Sequence, residues 1–416
     1  ILYIILSPII WILLLVSTIL NKKIRLRFFS YKKLFHHTAN QINQTNKKII
    51  LFHAASNGEL EQLKPFFREI NRDKYYILLT ISSPSCISSI NKEEIDSFCY
   101  QAFDFPWTAY RFLKKIKPVK YIVTRHDLWP NHIIIAKLLN IESYLINANL
   151  PESSKRKWPI LRLLYGFILK KFHAIYTVSD RLANRLKKII NNNSNIKVIG
   201  DTRFDQIQFR KNNTLNNNSP LKDYEQSENI LFGSIENKDI SIIFDSLIKI
   251  KEKIETHNIN LIFVPHEPEN NILSNIEYKL KELGIESIRY SNMDKDNMKL
   301  NHNKAIIVDS IGILADLYRY SSIAYIGCGF GKGVHNVAEP AIYGNTICFG
   351  PKFDILNEAI DMVNQSIAYS INNKDELTDI LSIVFNKNKL NQNSKKVQKY
   401  IELKLNVTKI MINEIF

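Results

Sequence analysis

Short, continuously apolar runs alternate with helix-patterned segments along most of this chain, and the alternation is played out twice. In the first series KKIILFHA (47–54), KYYILLTIS (74–82), VKYIVT (119–124), ESYLINAN (142–149), HAIYTVS (173–179) and NIKVIGD (195–201) read as strands. Between them 58–70, 127–140, 160–172 and 180–190 read as helices. Runs without polar alternation belong to strands covered on both faces, which in alternation with helices means parallel sheet. The segment FRKNNTLNNNSPLKDYEQSEN (209–229) is polar and rich in Asn, and reads as a linker. A second series follows, with strands NILFGS (229–234), INLIFVP (259–265), KAIIVDS (304–310), SIAYIGC (322–328) and NTICFG (345–350). Helices are expected at 239–254, 272–284, 311–321 and 337–344, and a long final one near 390–416. The fold expected is α/β, with two Rossmann-like domains at 48–208 and 230–390, a linker at 209–229 and a C-terminal helix at 391–416. At 416 residues the chain is too long for one core.

Residues 1–20, ILYIILSPIIWILLLVSTIL, carry no charge and match the length of one membrane helix. Basic residues follow rather than precede them: Lys22, Lys23, Arg25, Arg27, Lys32 and Lys33. A cleaved signal has the opposite order. The expectation is a single-pass N-terminal anchor, a basic juxtamembrane segment at 21–47 against anionic lipid, and the domains on the cytoplasmic face. The net charge of +16 favours acidic partners. The four cysteines (86, 99, 328 and 348) form no close pair and suit free thiols in a reducing compartment.

Ligands of doubly wound sheets bind outside the carboxyl ends of the strands, and two such halves are expected to flank a cleft there. Polar motifs fall at those ends: Ser56–Glu59, Arg125–Asp127, Asp201–Arg203, Gly233–Ser234, Pro265–Glu267, Asp309–Ser310 and Gly327–Glu339. In Ser56-Asn57-Gly58-Glu59 a strand hands over to a helix, a good place to aim a carboxylate at a ligand and equally an ordinary helix start. The densest motif is AYIGCGFGKGVHNVAEPAIYGNTICFGP (324–351). Its glycines, Lys332 and a helix opening near Asn336 suit a phosphate, and Glu339 suits two ribose hydroxyls. The motif is neither a P-loop nor the GxGxxG fingerprint. HEPEN (266–270) lacks the second His of a zinc motif, and DKD (294–296) lies in a polar loop, so no metal site is expected. No nucleic-acid-binding pattern occurs.

GCGFGKGVHNVAEPAIYGNTICFGPKFDILNEA (327–359) resembles the donor-site region of the 3-deoxy-D-manno-octulosonic acid (Kdo) transferases. There a Gly-rich loop runs into His-Asn-x-x-Glu-Pro and then Gly-Pro. HAASNGE (53–59), LWPN (128–131), NAN (147–149), GDTRFD (200–205) and FGSIENKD (232–239) match further family pieces in order, over nearly the whole chain. The resemblance implies a GT-B glycosyltransferase that moves Kdo from CMP-Kdo to a lipid A precursor in lipopolysaccharide biosynthesis, with inversion and without metal or cofactor, at the cell inner membrane. It implies Glu59 as general base, Asp127 as the second carboxylate and Arg203 as the charge stabiliser. CMP-Kdo would be held by Ser234, Pro265, His266, Gly329, Phe330, Gly331, Lys332, Asn336, Val337, Ala338 and Glu339. The sequence departs from the family pattern at Arg125-His126-Asp127 (for Glu-Thr-Glu), Pro265-His266-Glu267 (for Pro-Arg-His) and Asn149 (for Arg). Alternatives are a nucleotide-sugar 2-epimerase, also built of two Rossmann halves, and a non-catalytic lipid-binding relative.

Overall fold

Both apolar series form parallel sheets in the computed structural model, which describes residues 9, 11, 13, 16–125, 128–150, 154, 156, 158–190, 195–213, 220–293 and 304–416. The chain divides into two compact units, Ile1–Gln206 with Asn406–Phe416, and Ile207–Leu405.

In the first unit the strands are β1 (Lys48–Ala54), β2 (Tyr75–Ile81), β3 (Ser97–Tyr100), β4 (Lys120–Thr124), β5 (Glu142–Ala148), β6 (Ala174–Thr177) and β7 (Ile196–Val198). They lie side by side as β3-β2-β1-β4-β5-β6-β7. The chain works outward from β1 to β3, then returns to place β4 on the other side of β1. The topological switch point therefore lies between β1 and β4. Phe52 is in register with Leu79 on one side and Ile122 on the other. Alternate residues feed two cores, one on each face. Leu51, Leu78, Tyr121, Val123 and Leu145 point one way. Ile50, Phe52, Ile77, Leu79 and Ile122 point the other, where Val407, Met411 and Ile415 of the C-terminal helix Val407–Ile415 join them. That helix is expected from the sequence as the end of one long element. It is separate because Leu403–Leu405 leave the helical path and Asn406 takes a left-handed φ of 64°.

The basic segment after residue 20 is helix α1 (Lys22–Asn43). Its Ala39 and Ile42 are buried, Thr38 Oγ1 donates to Phe98 O (3.0 Å), and Arg27 donates to Gln101 O (3.0 Å) while lying over the rings of Phe103 and Trp129. Arg27 is thus committed to the first unit, whereas Lys22, Arg25, Lys32 and Lys33 are exposed. Among the described residues no helix is long and apolar enough to cross a membrane. Much of the expected anchor (1–8, 10, 12, 14 and 15) lies outside them. Of the rest, Trp11 packs on Phe28, Phe103 and Phe105, while Ile9, Leu13, Val16, Ile19 and Leu20 are exposed.

The second unit repeats the plan. Its strands are β8 (Asn229–Ile235), β9 (Asn260–Pro265), β10 (Glu286–Arg289), β11 (Lys304–Ile307), β12 (Ile323–Ile326), β13 (Thr346–Phe349) and β14 (Ala368–Ser370), in the order β10-β11-β9-β8-β12-β13-β14. Here the switch point lies between β8 and β12. The two cores again sit on opposite faces, with Phe232, Phe263 and Tyr325 in one and Leu231, Ile262, Val264 and Ala324 in the other. Residues 209–213 of the expected linker end a helix that starts at Arg203, Lys222–Gln226 form a 3-10 turn, and 214–219 lie outside the described residues. The helix expected at 311–321 is a short one, Leu314–Leu317, continued by a 3-10 turn.

Candidate active site

At the first switch point Ser56 caps helix α2 (Asn57–Glu69). Its Oγ accepts from the Glu59 amide (3.4 Å), and Glu59 Oε2 accepts from the Ala55 amide (2.7 Å). Ser-x-x-Glu at a helix start is the sequence form of a reciprocal cap, shifted here by one residue. Glu59 is 5% exposed and lies in the helix's first turn, where the dipole favours a negative charge. A Cβ on Gly58 would meet no atom within 4 Å, and its φ is not left-handed. Neither packing nor backbone demands a glycine there, so what Gly58 does is keep the surface beside Glu59 bare. His53, also buried, has Nδ1 3.0 Å from Thr80 Oγ1 and Nε2 3.4 Å from Ser82 Oγ. Because the Thr80 hydroxyl donates to Phe52 O (3.0 Å), the proton in the first contact belongs to His53.

Helix α3 (Pro130–Leu138) begins in the LWPN motif. Its first amides, of Asn131 and His132, donate to the buried carboxylate of Asp104 (3.0 and 3.1 Å), which also accepts from His132 Nδ1 (2.9 Å). Asp104 does what an N-cap side chain does, from 27 residues away in sequence. His126 and Asp127, expected beside this turn, lie outside the described residues.

A buried polar network joins the motifs of the first unit. Thr124 Oγ1 donates to Gln62 Oε1 (3.0 Å), Gln62 Nε2 to Asp201 Oδ1 (3.3 Å), and Asn147 Nδ2 to Thr202 Oγ1 (2.9 Å). Thr202 returns two bonds, from its amide to Asn147 Oδ1 (3.1 Å) and from its hydroxyl to Gln62 O (2.7 Å). Arg203 is paired with Asp201, Nε to Oδ2 at 2.8 Å. Asp205 accepts from the amides of Asn406 and Thr408 and from the Thr408 hydroxyl, each at 2.7 Å, and so holds the start of the C-terminal helix. Thus NAN and GDTRFD are two halves of one structural joint. Arg125 (φ 62°) and Asn147 (φ 50°), at or just past the ends of β4 and β5, adopt left-handed backbone. Such non-glycine outliers gather at functional sites.

At the second switch point the pattern recurs: Ser234 (φ 53°) and Cys328 (φ 64°) are left-handed at the ends of β8 and β12. Asp239 is buried in the first turn of helix α4 (Asn237–Thr256) and accepts from Glu236 N (2.8 Å), Cys328 N (3.0 Å) and Tyr325 OH (2.7 Å). Burial raises its pKa above the usual carboxylate value, against the pull of these donors. The glycines of the rich loop have packing roles. A Cβ on Gly327 would strike the backbone of Ser234 and Ile235, and one on Gly329 would lie 2.5 Å from Gly350 N. Gly331 faces the Glu236 carboxylate, and Lys332, with its side chain 82% exposed, stands 3.9 Å from Glu236 Oε1. Asn336 Oδ1 accepts from Ala338 N (3.0 Å) and Glu339 N (3.4 Å), opening a helix of only five residues, Ala338–Ile342. Glu339 lies 3.9 Å from Arg210.

The unit therefore brings Ser234, His266, Phe330, Gly331, Lys332, Asn336 and Glu339 to one end of the sheet with some exposure, while Pro265, Gly329, Val337 and Ala338 are buried and offer backbone at most. His266 Nδ1 is 3.4 Å from Ser234 Oγ, and its ring stacks on His335 at 4.9 Å. Sequence reasoning passed over Gln62, Asp104, Asn147, Glu236, Asp239 and His335 as site residues. Glu236 and Asp239 at least were signalled by the E-x-x-D spacing of a helix start. A cavity of about 670 Å³ lies elsewhere, at the amino ends of the first sheet, where Lys48, Lys74, Lys114, Lys117 and Lys120 line it.

Residues 22–206 match the family model described as 3-deoxy-D-manno-octulosonic-acid transferase (kdotransferase). A 3-deoxy-D-manno-octulosonic acid transferase of Aquifex aeolicus is 25% identical over 347 residues, 81% of this chain and 87% of the relative. One from Rickettsia bellii is 24% identical over 86% of this chain and 84% of its own. A probable mitochondrial one from Arabidopsis thaliana is 28% identical over 81% and 77%. Among solved structures, a UDP-GlcNAc 2-epimerase of Neisseria meningitidis aligns with TM-score 0.63 at 14% identity, covering 88% of this chain and 98% of that one. A glycosyltransferase of Rickettsia africae aligns with TM-score 0.58 at 15% identity, covering 89% and 98%. At such identities the epimerase likeness is one of fold.

Proposed function

We propose, from the premise that this chain is a relative of the Kdo transferases, that it is an inverting glycosyltransferase moving Kdo from CMP-Kdo to a lipid A precursor in lipopolysaccharide biosynthesis. In this reading the acceptor hydroxyl comes to the first unit and loses its proton to Glu59. The oxygen attacks the anomeric carbon of Kdo from the face opposite the phosphate, the carbon–phosphate-oxygen bond breaks, and CMP leaves. The observation that carries it is the place of Glu59: a carboxylate at the switch point, steadied by the Ala55 amide, beside a glycine that nothing in the packing requires. Arg203, oriented by Asp201, is assigned to the charge that develops on the leaving phosphate, and Asp127 to the acceptor side. CMP-Kdo is assigned to the second unit, with Ser234, His266, Lys332, Asn336 and Glu339 as polar contacts and Pro265, Gly329, Phe330, Gly331, Val337 and Ala338 shaping the surface. No cofactor enters.

The acceptor and the location are assigned to the anionic inner membrane, cytoplasmic face, with residues 1–20 as anchor. Two observations support membrane contact: the exposed Leu13, Val16, Ile19 and Leu20, and the helix Pro159–Leu169, which with Trp158 exposes Ile160, Leu163, Leu164 and Phe167.

The test is CMP release by the full chain given CMP-Kdo and a lipid A precursor. Wild type is expected to release CMP, and Glu59→Gln to be slower by about 10²–10⁴-fold while still binding CMP-Kdo. Glutamine keeps an acceptor for the Ala55 amide, so the fold is spared. No release by wild type would overturn the function; an active Glu59→Gln would overturn the base.

A further inference from the structure

We propose that Cys328, His266 and His335 form a binding site for a soft divalent cation of the zinc class. Cys328 and His335 come from the Gly-rich loop after β12 and His266 from the loop after β9, and one ligand atom from each lies within 4.8 Å of the others. Zinc takes sulfur and imidazole nitrogen at roughly 2.0–2.3 Å, so three atoms this close converge on one ion with rotamer changes alone. One thiolate and two imidazoles leave a fourth position open to solvent or an anion.

The surroundings suit a cation. The imidazoles already stack at 4.9 Å and 15°, an arrangement two protonated rings would resist. Burial and the neighbouring His266 lower the pKa of His335, which keeps its ring neutral and available as a ligand. The backbone carbonyl of Ser234 lies 3.2 Å from Cys328 Sγ, and the Ser234 hydroxyl 3.4 Å from His266 Nδ1, an outer contact of the kind that orients ligating imidazoles. Glu236 and Asp239 supply negative charge near the sulfur, and Lys332 alone opposes it among the groups acting on this thiol. Burial and those carboxylates push the Cys328 thiol up to about 12, so binding must release its proton to solvent. The site shares His266 with the CMP-Kdo contacts proposed above, and it is tested in the absence of any nucleotide or sugar.

The full chain, free of added nucleotide, is titrated with Co²⁺ alone, following the thiolate-to-cobalt charge-transfer band and the visible bands of tetrahedral cobalt. One Co²⁺ per chain is expected, with affinity rising about tenfold per pH unit between roughly pH 7 and 8.5 as one thiol proton is displaced. C328S is expected to abolish the charge-transfer band, and H266Q and H335Q each to weaken binding at least about tenfold. Since His266 and His335 are exposed, these variants keep the fold, which circular dichroism verifies. No band in the wild type, a band that survives C328S, or unchanged affinity in both histidine variants would overturn the site.

Discussion

Asn147 sits in left-handed backbone and exchanges two hydrogen bonds with Thr202. Alanine there would leave the Thr202 amide buried without its acceptor and would keep a Cβ in a disfavoured region. The expected loss is about 2–4 kcal/mol in urea unfolding. Asn147→Gly removes the same bonds but also relieves the left-handed backbone penalty, so the pair separates the two effects. The same residue illustrates what a linear reading misses. NAN and GDTRFD can be picked out as pieces of a pattern, but nothing local says that Asn147 meets Thr202, or that Gln62 meets Asp201 across 139 residues. The helix start at Glu59 was legible because its partners, Ala55 and Ser56, are sequence neighbours, whereas its proposed role as base rests on the resemblance, since the same spacing serves an ordinary helix start.

The central strands were legible for a related reason. Burial on both faces leaves no polar alternation, so β1, β2, β8 and β9 appear as unbroken apolar runs. Edge and near-edge elements carry weaker marks: β3 is four residues long, β10 reads ESIR, and β14 is three residues, each too short or too polar to register. The helix Pro159–Leu169 poses the converse problem, since an apolar sequence predicts burial and the structure exposes much of it. If that face meets lipid, then Leu163→Glu with Phe167→Glu should cut sedimentation of the full chain with anionic vesicles at least about fivefold, leaving thermal stability within roughly 0.5 kcal/mol per substitution because both side chains are exposed. Unchanged sedimentation would assign membrane contact elsewhere.

Across the whole molecule, the first unit is not continuous in sequence: it comprises residues 1–206 and 406–416. Val407, Met411 and Ile415 complete one of its two cores, Asp205 holds the start of their helix, and Val407 packs against Gly200, which has a φ of 130°. Deleting 406–416 is therefore expected to render residues 48–206 sensitive to limited proteolysis while 230–400 stay resistant, as mass spectrometry of the fragments would record. Equal resistance in both would make the helix dispensable. The same discontinuity bears on biogenesis. At a translation rate of about 5–20 residues per second, roughly 10–40 s separate the emergence of Gln206 from that of Asn406. For that interval a nascent sheet leaves the ribosome with one face covered by Leu60, Leu63 and Phe66 but still lacking Val407, Met411 and Ile415, a greasy gap that suits a chaperone until that helix arrives.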